Sequence, residues 1–125
     1  MSSSDLASAV ALEDQDAYPA VFATSRLVAL MEVAASRALN PLLQQGQLSV
    51  GVSVDVTHSA PTPVSALVTA EATYKGQEGK LFVFDVVARD AGGEVGRAVH
   101  RRAIIDQEKL EGKAQKRVNI SGQNL

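Results

Sequence analysis

Between Leu27 and Ala35 the chain reads LVALMEVAA, and every residue in that run is apolar except Glu32. Thr24 and Ser25 stand before the run, either able to cap a helix, and Asn40-Pro41 follows it, so the pattern predicts a helix over Thr24–Leu39. At 1.5 Å per residue such a helix is about 24 Å long, the width of a small sheet. An ordinary surface helix is apolar on one stripe only. This one is apolar nearly all round, which signals a helix enclosed by other structure. A carboxylate in such surroundings loses solvation when it ionises and needs a partner to offset that loss. Carboxylates held in this way often do chemistry. The alternative is that Glu32 lies on a narrow exposed stripe shared with Arg26, Ser36 and Arg37.

After the helix the hydrophobic period changes from helical to two. Leu48, Val50, Val52, Val54 and Val56 alternate with small or polar residues, the clearest strand signal in the chain, and His58 falls on the same parity. Ala60-Pro61-Thr62-Pro63 breaks the sheet. Further strands are predicted over about Val64–Lys75, Lys80–Arg89 and Glu94–Asp106, with turns at Gly76–Gly79 and Asp90–Gly93. Asp5–Glu13 reads as a first strand, and Tyr18-Pro19 as a turn leading into the helix. Glu108–Leu125 is charged and aperiodic, a helical stub or a disordered tail. The whole predicts an α+β fold of about five antiparallel strands curled about one long central helix, a single domain with an ordered core over about 5–107. An open sheet edge and an uncovered flank call for a second copy, hence a symmetric dimer.

Composition narrows the function. The 125 residues hold no Cys and no Trp and carry a formal charge of -2. That balance gives no reason to expect nucleic acid or an anionic membrane as partner. Absence of Cys removes thiolate metal sites and a cysteine nucleophile, and fits a reducing cytoplasm. No apolar run reaches the ~18 residues of a membrane span.

Three polar residues sit awkwardly: Thr24, Glu32 and His58. Thr24 stands at the helix start, where backbone N–H groups and the dipole favour developing negative charge, although a simple N-cap is its plainer role. His58 ends an apolar strand face and offers an imidazole suited to moving a proton, although such a His is commonly a satisfied core or edge residue. His100, beside Arg101 and Arg102, is taken as structural, since a two-His metal site needs a third ligand. The His-Arg-Arg run is a modest basic patch suited to phosphate contacts. No phosphate loop, nucleophile elbow or metal-ligand motif occurs, so no metal is expected. A carboxylate, an imidazole and a hydroxyl point to hydrolysis or another acyl- or proton-transfer reaction.

These residues resemble the hotdog-fold thioesterases, in particular the fluoroacetyl-CoA thioesterase-like group. VFATSRLVALMEVAA (Val21–Ala35) is similar to that group's segment in which Thr opens the central helix and Glu follows eight residues later. GVSVDVTHSAPTP (Gly51–Pro63) resembles its strand and turn with Val-Thr-His and Thr-Pro, and GRAVHRRAII (Gly96–Ile105) its Gly-x-x-x-His-x-Arg final strand. The resemblance covers roughly Tyr18 to Gln107. It implies a hotdog homodimer, or a dimer of dimers, with active sites at the subunit interface and a catalytic set of Thr24, Glu32 and His58. Glu32 would be nucleophile or general base, His58 a proton donor or carbonyl-polarising group, and Thr24 the residue orienting them. Gly51 would allow close approach of the acyl group, and Arg102 would contact coenzyme A phosphate or brace the interface. Tyr18 stands where the fluoroacetate enzyme has an aromatic lid residue, but the segment before the helix is short, so fluoroacetyl specificity is not implied.

The expected function is hydrolysis of a small acyl-CoA thioester to carboxylate and coenzyme A, with no cofactor beyond the coenzyme A of the substrate. A non-catalytic acyl-CoA or small-ligand binding protein on the same fold is the alternative. A hotdog hydratase is a weaker rival, because its Asp-x-x-x-x-His helix is missing. A purely structural dimer is the remaining one.

Overall fold

The structure, a computed structural model, describes residues 2–120. Helix α1 spans Thr24–Leu39, the span the apolar run predicts. Neither Thr24 nor Ser25 caps it. Ala23 holds the cap position and its carbonyl accepts the N–H groups of Arg26 and Leu27, so Thr24 is already helical and its hydroxyl is free for other work. At the far end Pro41 cannot donate to a further turn, and the chain tightens into a 3-10 turn over Asn40–Leu42.

Four strands follow: β1 (Gln47–His58), β2 (Thr69–Glu78), β3 (Leu81–Asp90) and β4 (Gly93–Asp106). They form one antiparallel sheet in the order β1-β4-β3-β2, which leaves β1 and β2 as its edges. α1 lies across the inner face. Leu27, Met31, Ala35 and Leu39, one residue per turn, are buried against Phe84, Val86, Ala88, Val95 and Ala98 of β3 and β4. Burying side chains of the size of Leu27, Met31 and Leu39 stabilises the fold by about 1.5–3 kcal/mol each. Gly96 sets how closely helix and strand meet, because a methyl group there would lie 2.7 Å from Leu27 Cδ2.

Several sequence expectations need correction. Asp5–Glu13 is not a strand but two 3-10 turns, Ser3–Asp5 and Ala7–Val10, in which Leu6 alone makes a bridge to Phe22. Its Ala and Ser residues lack the alternation a sheet face needs, and Leu12 is 91% exposed. Among the described residues the sheet therefore has four strands rather than about five. The strand expected from Val64 begins at Thr69, because Ser65 takes a left-handed conformation (φ 73°) and turns the chain out, leaving Val64 and Leu67 exposed. It also continues through Gly76 to Glu78, with an irregularity between Tyr74 and Gly76, and turns at Gly79 (φ 61°). The segment after Asp106 is a helix, α2 (Gln107–Ile120), and the rest of the expected tail, 121–125, lies outside the described residues.

Nor is α1 enclosed. A single sheet covers one stripe, while Ala29 and Val33 stay exposed and the Glu32 side chain remains 43% exposed. Among the described residues no helix is long and apolar enough to cross a membrane.

Candidate active site

The alternation of β1 is broken where it matters. Pairing with β4 shifts register between Gly51 and Ser53, which makes Val52 an extra residue, 53% exposed. A bulge of this kind swaps the faces on either side of it. Downstream Val54 and Val56 pack toward the core as the parity predicts. Upstream the inward positions become Ser49 and Gly51, and Leu48 is left exposed.

That switch builds one cluster at the middle of α1. A methyl group on Gly51 would lie 3.1 Å from Glu32 Oε2, 3.2 Å from His100 Cε1 and 3.5 Å from Arg102 Nη1, so four residues from three elements meet at this point. Arg102 is buried. Its Nε donates to Ser49 Oγ (3.0 Å), its Nη2 to the Ser49 carbonyl (2.9 Å), and its Nη1 to Glu32 Oε2 (3.5 Å). The same Nη1 lies 3.1 Å from His100 Nε2. Glu32 thus has the partner its setting requires, and its other oxygen is uncommitted among the described residues.

A second cluster lies at the start of α1. Thr24 Oγ1 and His58 Nδ1 are 2.9 Å apart. The His58 ring stands edge-on to Phe22, with centroids 6.2 Å apart, and its Nε2 is buried with no hydrogen-bond partner among the described residues. Thr24, His58, Phe22, Pro61 and Tyr18 line a common groove of about 370 Å³. A groove of about 390 Å³ on another flank of α1, lined by Phe22, Leu30, Val33 and Val68 with Arg26 and Arg37 at its rim, holds none of the expected site residues.

The six expected residues therefore divide into two groups: Glu32, Gly51 and Arg102 in one, Thr24, His58 and Tyr18 in the other. Within the chain no contact joins Glu32 to His58. Glu32 is two helical turns beyond Thr24, about 12 Å along the axis, and Gly51 is seven residues from His58, about 20 Å along the strand.

Sequence reasoning missed Ser49 and His100. The His-Arg-Arg run is no basic patch: Arg101 points outward and pairs with Glu78 at 3.1 Å, while His100 and Arg102 point inward. Parity held the signal, since His100 and Arg102 alternate in step with Ala98 and Ile104.

The model of the fluoroacetyl-CoA-specific thioesterase family matches residues 3–108. The fluoroacetyl-CoA thioesterase of Streptantibioticus cattleyicolor is 40% identical over 100 residues, which make up 80% of this chain and 72% of that protein. A solved structure of a fluoroacetyl-CoA thioesterase superposes with a TM-score of 0.86 at 34% identity, covering 92% of this chain and 87% of that one. A hot-dog-like protein from Thermanaerovibrio acidaminovorans gives a TM-score of 0.72 at 28% identity, covering 78% and 72%. With one long helix on an antiparallel sheet, Glu32 and His58 on separate elements, and this match over most of its length, the chain belongs to the fluoroacetyl-CoA-specific thioesterase family of hotdog proteins.

Proposed function

We propose that the protein hydrolyses a small acyl-CoA thioester, and that two copies complete each active site, Glu32 coming from one and the Thr24–His58 pair from the other. The observation behind this reading is that the chain prepares two half-sites and joins neither to the other. Glu32 is aimed by Arg102 yet half-exposed, and His58 is aimed by Thr24 yet has an unpartnered Nε2. A buried polar atom without a partner costs about 1–3 kcal/mol, and is tolerated where a ligand supplies the partner. A homodimer, or a dimer of dimers, that covers the exposed flank of α1 and the free edge of β1 brings the halves together.

In this reading the uncommitted oxygen of Glu32 takes a proton from water, and the water oxygen bonds to the thioester carbon. The Thr24 O–H hydrogen-bonds to His58 Nδ1 and keeps its proton, so the neutral ring carries its own proton at Nε2, where Nε2–H binds the carbonyl oxygen as it gains negative charge, with the N-terminus of α1 close by. The carbon–sulfur bond then breaks, the sulfur takes the proton that Glu32 had accepted, and carboxylic acid and coenzyme A leave with the Glu32 carboxylate restored. Gly51 keeps the space beside Glu32 open for a small acyl group, and Tyr18 covers the groove. The buried guanidinium of Arg102 suits bracing Glu32 better than reaching a coenzyme A phosphate at the surface. The reaction needs no cofactor beyond its substrate, and a cysteine-free chain acting on coenzyme A esters fits the cytoplasm.

The test is incubation of the purified protein with acetyl-, fluoroacetyl- and longer acyl-CoAs in the presence of a thiol reagent. Release of free thiol that is lost in Glu32→Ala supports hydrolysis. Saturable binding of an acyl-CoA without thiol release would establish the binding-protein alternative instead.

A further inference from the structure

His100 is among the most deeply buried polar residues described, yet it is neither Thr24, Glu32 nor His58. It sits in mid-sheet, with Val54 of β1 opposite on one side and Phe84 of β3 on the other, so its ring cannot turn without disturbing both. Nδ1 lies 2.8 Å from the Ser53 carbonyl oxygen, which can only accept, so Nδ1 carries the proton. Nε2 lies 3.1 Å from Arg102 Nη1, which can only donate, so Nε2 accepts. The two contacts assign one tautomer and one orientation.

Nη1 is the group that also reaches Glu32. A guanidinium is planar and rigid, so three fixed points determine where Nη1 lies. Ser49 supplies two of them, at Nε and Nη2, and His100 supplies the third. Without His100 the fork can tilt about the Ser49 contacts, and the arm facing Glu32 is the one that moves.

We infer that His100 and Ser49 are positioning residues for the reaction, acting through the Arg102 guanidinium to fix the carboxylate of Glu32. The inference rests on the proposed role of Glu32 in thioester hydrolysis. It predicts that what matters at residue 100 is an acceptor at the Nε2 position. Glutamine places a carbonyl oxygen there, whereas asparagine reproduces only the Nδ1 donor.

The experiment measures kcat, KM and melting temperature for His100→Gln, His100→Asn and Ser49→Ala on whichever acyl-CoA the wild type turns over. His100→Gln is expected to stay close to wild type. His100→Asn and Ser49→Ala are expected to lose kcat by on the order of ten- to a hundred-fold with KM little changed, the scale of effect produced by misplacing a catalytic group by an ångström or less. Equal losses in the Gln and Asn variants, or losses that follow melting temperature alone, would overturn the inference, since a ring that merely fills the core behaves that way. If the wild type turns over no acyl-CoA, hydrogen exchange of the Arg102 Nε–H, read by NMR, separates the two ideas. Slow exchange in wild type and His100→Gln with fast exchange in His100→Asn keeps the network and rejects the reaction. Equal exchange in all three rejects the network itself.

Discussion

Thr24 Oγ1 sits 2.9 Å from His58 Nδ1, tying the first turn of α1 to the last residue of β1. The bond exists because Ala23, not Thr24, holds the cap position, so the hydroxyl is not spent on the helix backbone. Thr24→Ala should therefore leave stability almost unchanged, as Ala is the best helix former, while lowering kcat by about ten- to a hundred-fold through loss of ring orientation. Thr24→Ser should retain most activity. Steady-state kinetics beside thermal melts check both; a melting temperature that drops in step with activity would mean the hydroxyl is structural.

Gly51 tests whether close approach matters. An added methyl meets Glu32 Oε2 at 3.1 Å and His100 Cε1 at 3.2 Å, both tighter than ordinary contact. The half-exposed carboxylate can give way, whereas the buried imidazole cannot. Gly51→Ala should displace Glu32 and lower kcat by on the order of ten-fold or more, with a modest loss of melting temperature from the contact with the unyielding imidazole, and Gly51→Val should be worse. Kinetics at matched fold stability decide it.

Gly96 gives the opposite pattern. A methyl there would fall 2.7 Å from Leu27 Cδ2 and 3.1 Å from the Thr57 carbonyl oxygen, the second being backbone that cannot step aside. Gly96→Ala should destabilise the protein by about 1–3 kcal/mol through overpacking. Denaturant titration measures this directly, and a shift below a few tenths of a kcal/mol would show that α1 can back off the sheet.

Asp5 gives a pH prediction. The Ser2 backbone N–H holds its carboxyl below the ordinary aspartate range against the opposing effect of burial, with further help from the Ser2 hydroxyl and from Arg26 at 4.0 Å. A group whose folded-state pKa is lowered contributes stability above its unfolded pKa and loses it as pH falls through the folded one. Wild type should thus be slightly more stable than Asp5→Asn at neutral pH. The gap should close as pH drops through and below the ordinary aspartate range, as urea titrations across pH will read.

Much of this architecture was legible in the residues themselves. Pro41 and the apolar run defined α1, and strict alternation defined β1, because both signals are local. The bulge at Val52 was not legible, since Leu48–Val56 alternates without interruption and only pairing with β4 reveals the extra residue. For the same reason Ser49 and Gly51 looked outward in sequence and prove to face Glu32. The pairing of Thr24 with His58 spans 34 residues, and only the family resemblance, not the residues read by themselves, put the two in one set. The greasy helix misled in one respect: its apolar flank implied enclosure, but this chain's own sheet covers one stripe, and Glu32 stays half-exposed.

The most direct test is to mix subunits. Glu32→Ala and His58→Ala, each inactive alone, are to be co-expressed with different tags and the doubly tagged species isolated. If each site takes Glu32 from one copy and His58 from the other, a mixed dimer has one site with both residues intact and should regain about half the wild-type activity. If the mixed dimer releases no more thiol than either parent while wild type of the same assembly is active, Glu32 and His58 do not meet across two chains, and the proposed site is wrong.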